Sequence, residues 1–469
     1  MIKIEKIQLN NFRFFIDEEE NNTFEPNEKG LLVYGENGSG KSSLFKAFEL
    51  LAKVSKVDIS DEFRENKNLF NLEQDSEIKF EFDNNNSLDI NDDTKIDSNY
   101  DFIDEIYLTN SLLDYKKLLQ INFMKEQGYS KINLYHILNR LFEYYPIGDD
   151  KILLKDIENP NDQLNELKNI LDNLLDGINL FLEKFTTEFK IEKFIYTTDY
   201  IPLAKGLGLN NALEFVINIE INFKDNIIEK HHDFLNEAKL SSLAMAIYFT
   251  IIKHLSSLDI NESLKILVLD DLLISLDMSN RLNLIDILKS EFSDFQIFFF
   301  THEKAFFEVL KDKMSWKAYE IYVNKSEEGF EVPYVKKSLN HFESAKKHFE
   351  AFDYPASANY LRKEVERLKK IKERQEASIN QELKIFKKMK KMLLSSDLSD
   401  SNRVKSKLIG FKQGLEEENN SHVEIDLRNI KGITDRILNP QSHDDMSRPL
   451  YKKELEEAME IIEGIRGNI

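Results

Sequence analysis

GENGSGKSS, Gly35 to Ser43, is the stretch whose reading decides the fold. Leu31, Leu32, Val33 and Tyr34 lead into it as a short apolar run suited to a buried strand. Ser42 to Leu51 leaves it with Leu44, Phe45, Phe48 and Leu51 on one helical face. A strand, a glycine-rich turn and a helix in that order make a phosphate cradle, and a surface turn would need neither flank. Gly35, Gly38 and Gly40 let successive backbone N–H groups turn inward, with Asn37 and Ser43 as further contacts. Lys41 reaches the outer phosphates and Ser42 can ligate Mg²⁺.

The chain has 469 residues, room for two or three domains, and 41% hydrophobic content, enough to build their cores. No apolar run approaches the roughly 18 residues of a membrane span. The opening MIKIEKIQLNNF alternates charged and apolar residues where a signal peptide would carry an apolar block. These features predict a cytoplasmic protein with no membrane partner. Without cysteine, disulfides, thiolate zinc sites and cysteine nucleophiles are excluded. A net charge of −21 argues against non-specific nucleic-acid binding by the whole surface. From His341 to Gln413, however, 18 Lys and Arg stand against 10 Asp and Glu, a local balance of +8 that leaves −29 for the remainder.

Ile2 to Phe15 alternates as IKIEKIQLNNFRFF, which predicts a strand entering the same sheet as the P-loop strand. Arg13 near its end either faces the nucleotide or is a solvated strand-end arginine. Ile78 to Asp83 is a strand pattern within a peripheral hairpin. Ser130 to Phe189 is helical in pattern, with Leu164, Leu167, Ile170, Leu171, Leu174 and Leu175 at mixed spacings of three and four, and at most makes a short helical arm. Ala212 to Lys224 alternates as a strand, and FLNEAKLSSLAMAI, Phe234 to Ile247, is a polar turn opening onto an apolar helix. LKILVLDD, Leu264 to Asp271, and QIFFFTH, Gln296 to His302, are buried parallel strands whose C-terminal ends carry polar residues. The expected fold class is α/β, with a mostly parallel sheet flanked by helices.

With these motifs in this order, Met1 to about Lys337 resembles an ABC-type ATPase of the RecF/SMC-like branch, a bacterial group often found in phage-defence operons. The resemblance implies ATP and Mg²⁺ as ligands and a helical insertion at about 130–200. Asp270 matches the aspartate that holds Mg²⁺ through water. Asp271 stands where the family usually has the glutamate that activates the attacking water, one methylene shorter. LNEAK, Leu235 to Lys239, matches the signature segment, with Asn236 for the usual serine, Ala238 for the usual glycine, and Glu237 between them. Ser275, Leu276 and Asp277 match the dimer-contacting D-loop, and His302 matches the switch histidine. Within Ile106 to Met124, Gln120 is the candidate for the metal-contacting glutamine, with Asn110 as its rival. A signature segment that cannot reach its own P-loop implies a homodimer, or a higher homo-oligomer, with nucleotides sandwiched between copies. A long heptad coiled coil is absent, which argues against DNA tethering of the SMC type.

Trp316 to Tyr334 reads as a terminal hairpin, and from Asn340 onward the pattern is helical, giving a second domain at 338–469. Arg362 and Glu366 project from one helical face beside Ala358, Leu361, Val365 and Leu368. Arg436 precedes His443 by six intervening residues, with Pro440 ending the helix. An Arg, Glu and His set in a helical cleft can cleave RNA without metal; an exposed Arg and Glu pair with a solvated loop histidine is the plainer reading. The module resembles a HEPN domain, the helical half of bacterial anticodon nucleases, in the pattern Arg362, three residues, Glu366 and a distant His443. Here 76 residues separate Glu366 from His443. The resemblance implies RNA, tRNA in particular, as a substrate. A separate effector or a phage trigger protein is the other class of partner.

Overall fold

The structure, a computed structural model, describes residues 1–94, 102–123, 133–201, 212–258, 263–272, 276–326, 329–371, 373 and 452–466. The chain divides into two compact units, Met1–Ser338 and Leu339–Ile469.

The first unit is built on a six-stranded sheet. Its order is Glu331–Lys337, Lys317–Lys325, Gly30–Gly35, Gln296–Thr301, Ile266–Asp270 and Leu112–Asp114. Every neighbouring pair is parallel except the outer hairpin Lys317–Lys325 with Glu331–Lys337. Each central strand is apolar on both faces because both are covered. Leu32, Tyr34, Leu267, Leu269, Ile297 and Phe299 face one core, while Leu31, Val33, Ile266, Val268, Phe298 and Phe300 face another.

The helix Lys41–Lys53 is clamped in the second of these cores. Its Phe48 ring lies 4.6 Å from Phe298 of the central sheet and 5.8 Å from Phe80 of a second sheet. That second sheet has four antiparallel strands in the order Thr23–Phe24, Ile4–Asn10, Glu77–Phe82, Ser87–Ile90. The N-terminal strand therefore does not join the P-loop strand's sheet, contrary to the expectation from its alternation. Alternation records one buried face, here Ile4, Ile7 and Leu9, and Glu77–Phe82 has the matching one-sided pattern. Gln296, fully buried, ties the two layers together: its amide oxygen accepts from Ile4 N and its amide nitrogen donates to the carbonyls of Ile4 and Asn27, all at 2.8 Å.

On the opposite face, Glu237–Ser256 is buried along most of its length and packs against Pro160–Phe185. Asn159 caps the latter, its side chain accepting from Asn161 N, with Pro160 in the first turn. Two expectations are corrected here. Pro160–Phe185 is not an arm, because Leu167, Leu171, Leu174, Ile178 and Leu182 are buried in the main core. The insertion is also not helical to about 200: Phe189–Ile201 is a strand, paired antiparallel with Ala212–Phe223 over twelve residue pairs.

In the second unit the described elements are helical. Asn340 opens His341–Glu350 with a reciprocal capping box to Glu343. Asp353 accepts from Ala356 N at 3.2 Å at the start of the helix over 354–371. With Lys452–Arg466, these helices bury Phe342, Ala345, Leu361, Val365, Leu455 and Ile462. Fully buried Glu364 is held by Arg367, at 2.8 and 3.0 Å, and by Arg466 at 3.5 Å.

Candidate functional site

The P-loop strand ends at Gly35, and the helix begins at Lys41 with Gly40 as its N-cap. A Cβ at Gly35 would come within 2.2 Å of Ser39 Oγ and 3.2 Å of Lys41 Cγ, so a side chain here would displace Ser39 and crowd Lys41. Lys41 is 5% exposed; its Nζ donates to the carbonyl of Gly35 at 2.7 Å and of Glu36 at 3.3 Å. The loop opens on a cavity of about 510 Å³ lined by Asn37, Gly38, Gly40, Lys41, Ser42 and Ser43.

Asp271 reaches the same cavity from the end of the strand Ile266–Asp270. Its backbone is left-handed, φ 50°, a conformation aspartate tolerates better than most residues. The amide N–H of Asp271 donates to the carbonyl of Phe300 at 3.1 Å. Its Oδ1 accepts from His302 N at 3.0 Å and lies 2.8 Å from His302 Nδ1, while Oδ2 is 3.8 Å from Lys41 Nζ. Aspartate, histidine and the P-loop lysine thus form one contiguous array.

Asp270 is the donor set's test for a cation. Burial, then the neighbouring Asp271, push its carboxyl up to about 7 against the opposing pull of Lys41. Its Oδ1 is buried with no hydrogen-bond partner among the described residues. A buried carboxylate oxygen left orphaned, on the residue just before Asp271 of the P-loop cavity that Ser42 also lines, fits a hard divalent cation such as Mg²⁺.

Gln120 is not brought to this point. It sits in the helix Tyr115–Phe123, where its side-chain oxygen accepts from Arg140 at 3.5 Å. Asn110 ends a helix with φ 51° and does not line the cavity. The residue beside Asp270 is Asp114, its register partner on the edge strand Leu112–Asp114, which adds to the upward push on Asp270. A signal was present: LLD, like LVLDD, is a short apolar run ending in a carboxylate. The cavity also takes in Arg13, which is exposed and whose Nη1 donates to Asn66 Oδ1 at 2.7 Å. Phe14, Leu69 and Phe70 form an apolar rim that the sequence pattern did not reveal.

Asn236 and Asp277 meet at a second, smaller cavity of about 220 Å³. Each caps a helix: Asn236 accepts from Lys239 N at 3.0 Å and Asp277 from Asn280 N at 2.8 Å. Ala238 lines this cavity as well, and Glu237 is exposed. Ser275 lies outside the described residues. In the second unit, Arg362 Nε donates to Glu366 Oε1 at 3.0 Å in a half-exposed pair. Arg436 and His443 lie outside the described residues.

Fold and site together define a P-loop nucleotide-binding domain. Residues 6–201 match the family described as AAA domain. The chain has no match among curated proteins. Similar solved structures include an SMC head bound to the C-winged helix domain of ScpA, at 15% identity and TM-score 0.37, covering 72% of this chain and 99% of that one. An SMC head with an extended coiled coil bound to the C-terminal domain of ScpA, from Pyrococcus furiosus, shows 12% identity and TM-score 0.42, covering 75% and 100%. The SMC head domain from Thermotoga maritima shows 12% identity and TM-score 0.35, covering 72% and 99%. Likeness at this level carries none of their partners over to this chain.

Proposed function

We propose that the chain is an ABC-type ATPase of the RecF/SMC-like group that hydrolyses ATP with Mg²⁺ between two copies arranged head to tail. The observation that carries this reading is the division of the site. Lys41, Ser42 and Asp271 line one cavity, Asn236 and Asp277 line another, and the two have no lining residue in common. A second copy's Asn236 and Asp277 then complete the first copy's P-loop. Lys41 exchanges its loop carbonyls for the outer phosphates. Asp271 takes the proton of the attacking water, and His302 holds that carboxylate in place. Ser42 and Asp270 would hold Mg²⁺, which when bound would neutralise charge at the phosphates.

The test is ATP turnover per subunit across a protein dilution series. Activity that rises with concentration and is lost in Lys41→Ala and Asp271→Asn supports the reading. Turnover independent of concentration, or retained in Lys41→Ala, overturns it.

For the second unit we infer RNA cleavage in defence against phage, with Arg362, Glu366, Arg436 and His443 in the HEPN pattern. That reading is supported by the sequence pattern and by the +8 balance over His341 to Gln413. A second reading, recruitment of a separate effector, is favoured by Arg362 and Glu366 satisfying each other. Sequencing RNA ends after expression of wild type, Lys41→Ala and His443→Ala separates them. Discrete new tRNA ends that vanish in both variants support the nuclease, and absence of cleavage during infection transfers the activity to a partner.

A further inference from the structure

Three consecutive residues after the strand Gln296–Thr301 reach three different places. His302 holds the Asp271 carboxylate through both its N–H and its ring. Glu303 pairs with Arg281, whose Nε donates to the carbonyl of Leu276 at 2.8 Å, immediately before Asp277. Lys304 lies 2.8 Å from Glu320 Oε2 and 4.8 Å from the ring centre of Tyr34, the residue before Gly35. The chain of contacts continues from there. Glu320 Oε1 accepts from Ser338 Oγ at 2.6 Å, and Ser338 Oγ accepts from Lys311 Nζ at 2.9 Å. Ser338 is the last residue of the first unit.

The far end of this chain of contacts is buried, with Glu320 8% and Ser338 9% exposed, while the His302 and Lys304 side chains are partly exposed. Burial by itself would raise the Glu320 carboxyl, but Lys304, Ser338 and Tyr322 all donate to it and hold it at about 2. Glu320 therefore stays charged across the physiological range. Breaking the cluster leaves a buried carboxylate with fewer partners, so His302 cannot shift far without Glu303 and Lys304 moving too.

Resting on the ATPase reading above, we propose that the turn His302–Glu303–Lys304 is a three-way coupler. It passes the state of the nucleotide site to Leu276 and Asp277 and, through Glu320 and Ser338, to the point where the chain leaves the first unit. The physical warrant is a packed element that both sites bias, held by directional contacts on three sides.

The experiment uses the full chain and hydrogen–deuterium exchange over residues 338–350, with and without ATP and Mg²⁺. Binding of a fluorescent ATP analogue is measured on the same samples. In wild type the nucleotide changes exchange at this segment by about fivefold or more. Lys304→Met and Glu320→Gln bind the analogue as wild type does and lose that change, while Lys304→Arg keeps it. Lys304 is 40% exposed in its side chain, so its replacement remains informative if the Glu320 variant fails to fold. Folded variants that retain the full response overturn the proposal, as does a wild type that binds the analogue with no change at 338–350. Failure of wild type to bind the analogue at all is a distinct result: it defeats the ATPase reading, and the coupler loses its input with it.

Discussion

Replacing Asp270 by asparagine is expected to stabilise the nucleotide-free protein, although it removes a residue of the site. The folded environment lifts this carboxyl from 3.8 to about 7, chiefly by burial and by Asp271. A group with a raised acid pKa binds its proton more tightly when folded, so it adds stability as pH falls and removes it as pH rises. Above pH 7 the ionised form costs at most about 4 kcal/mol, at about 1.4 kcal/mol per pH unit of difference. Asparagine keeps the shape and removes the charge. For a unit of this size the gain corresponds to roughly 5 °C in the unfolding midpoint at pH 8, falling to about half of that at pH 5.5 and vanishing below pH 4. Thermal unfolding of both proteins at these pH values, without divalent cation, is the assay. Adding Mg²⁺ and ATP narrows or reverses the difference, because only the wild type offers the cation a carboxylate at this position. An Asp270→Asn protein less stable than wild type at pH 8 without ligand would refute the argument that this carboxylate is held at a cost until a cation arrives.

Two further outcomes follow from the geometry. Gly35→Ala is expected to weaken ATP binding, because its Cβ would displace Ser39 Oγ, 2.2 Å away, and crowd the phosphate-binding Lys41 at 3.2 Å; Gly38→Ala meets no atom within 4 Å and carries only the strain of φ 85°, about 1–2 kcal/mol, so its affinity falls less. Equilibrium titration with a fluorescent ATP analogue distinguishes them, and equal losses would count against the loop geometry. Glu364→Gln leaves Arg367 and Arg466 without their shared carboxylate and is expected to lower the second unit's stability by somewhat less than the about 3–5 kcal/mol of a fully buried pair, since Arg367 is one-third exposed. Urea unfolding monitored by proteolysis of the second unit reads this directly; an unchanged midpoint would show the pair to be dispensable.

The parts of the fold written in local sequence were legible. The P-loop strand and the strands ending in Asp270 and Thr301 are short apolar runs whose turn residues follow at once, so neighbouring residues carry the whole signal. What depends on lateral pairing was not. Ile4, Ile7 and Leu9 announce a buried face without saying which layer covers it. Asp114 belongs beside Asp270 only because two strands more than 150 residues apart align in register, whereas Gln120 had chemistry but no placement. Phe189–Ile201 carries alternation in FKIEKFIY, yet it follows a leucine-rich helix directly and was absorbed into that helix's pattern. Asn236 and Asp277 were recognisable as motifs, but the shared cavity between their helix ends is a tertiary fact.

The strand order also dictates when the nucleotide site can exist during synthesis. Gly30–Gly35 is made early, but both of its sheet neighbours, Gln296–Thr301 and Lys317–Lys325, are translated roughly 260 residues or more later. At about 5–20 residues per second, the loop waits on the order of 15–60 s on the ribosome for the strands that hold it. Leu31 and Val33 can pack meanwhile on the early-made helix Lys41–Lys53 and the antiparallel sheet, whereas the face carrying Leu32 and Tyr34 waits for the core completed by later strands and helices. A truncated chain that stops before Gln296 lacks both flanking strands, and with them His302, so a prematurely terminated product is barred from reaching an active state.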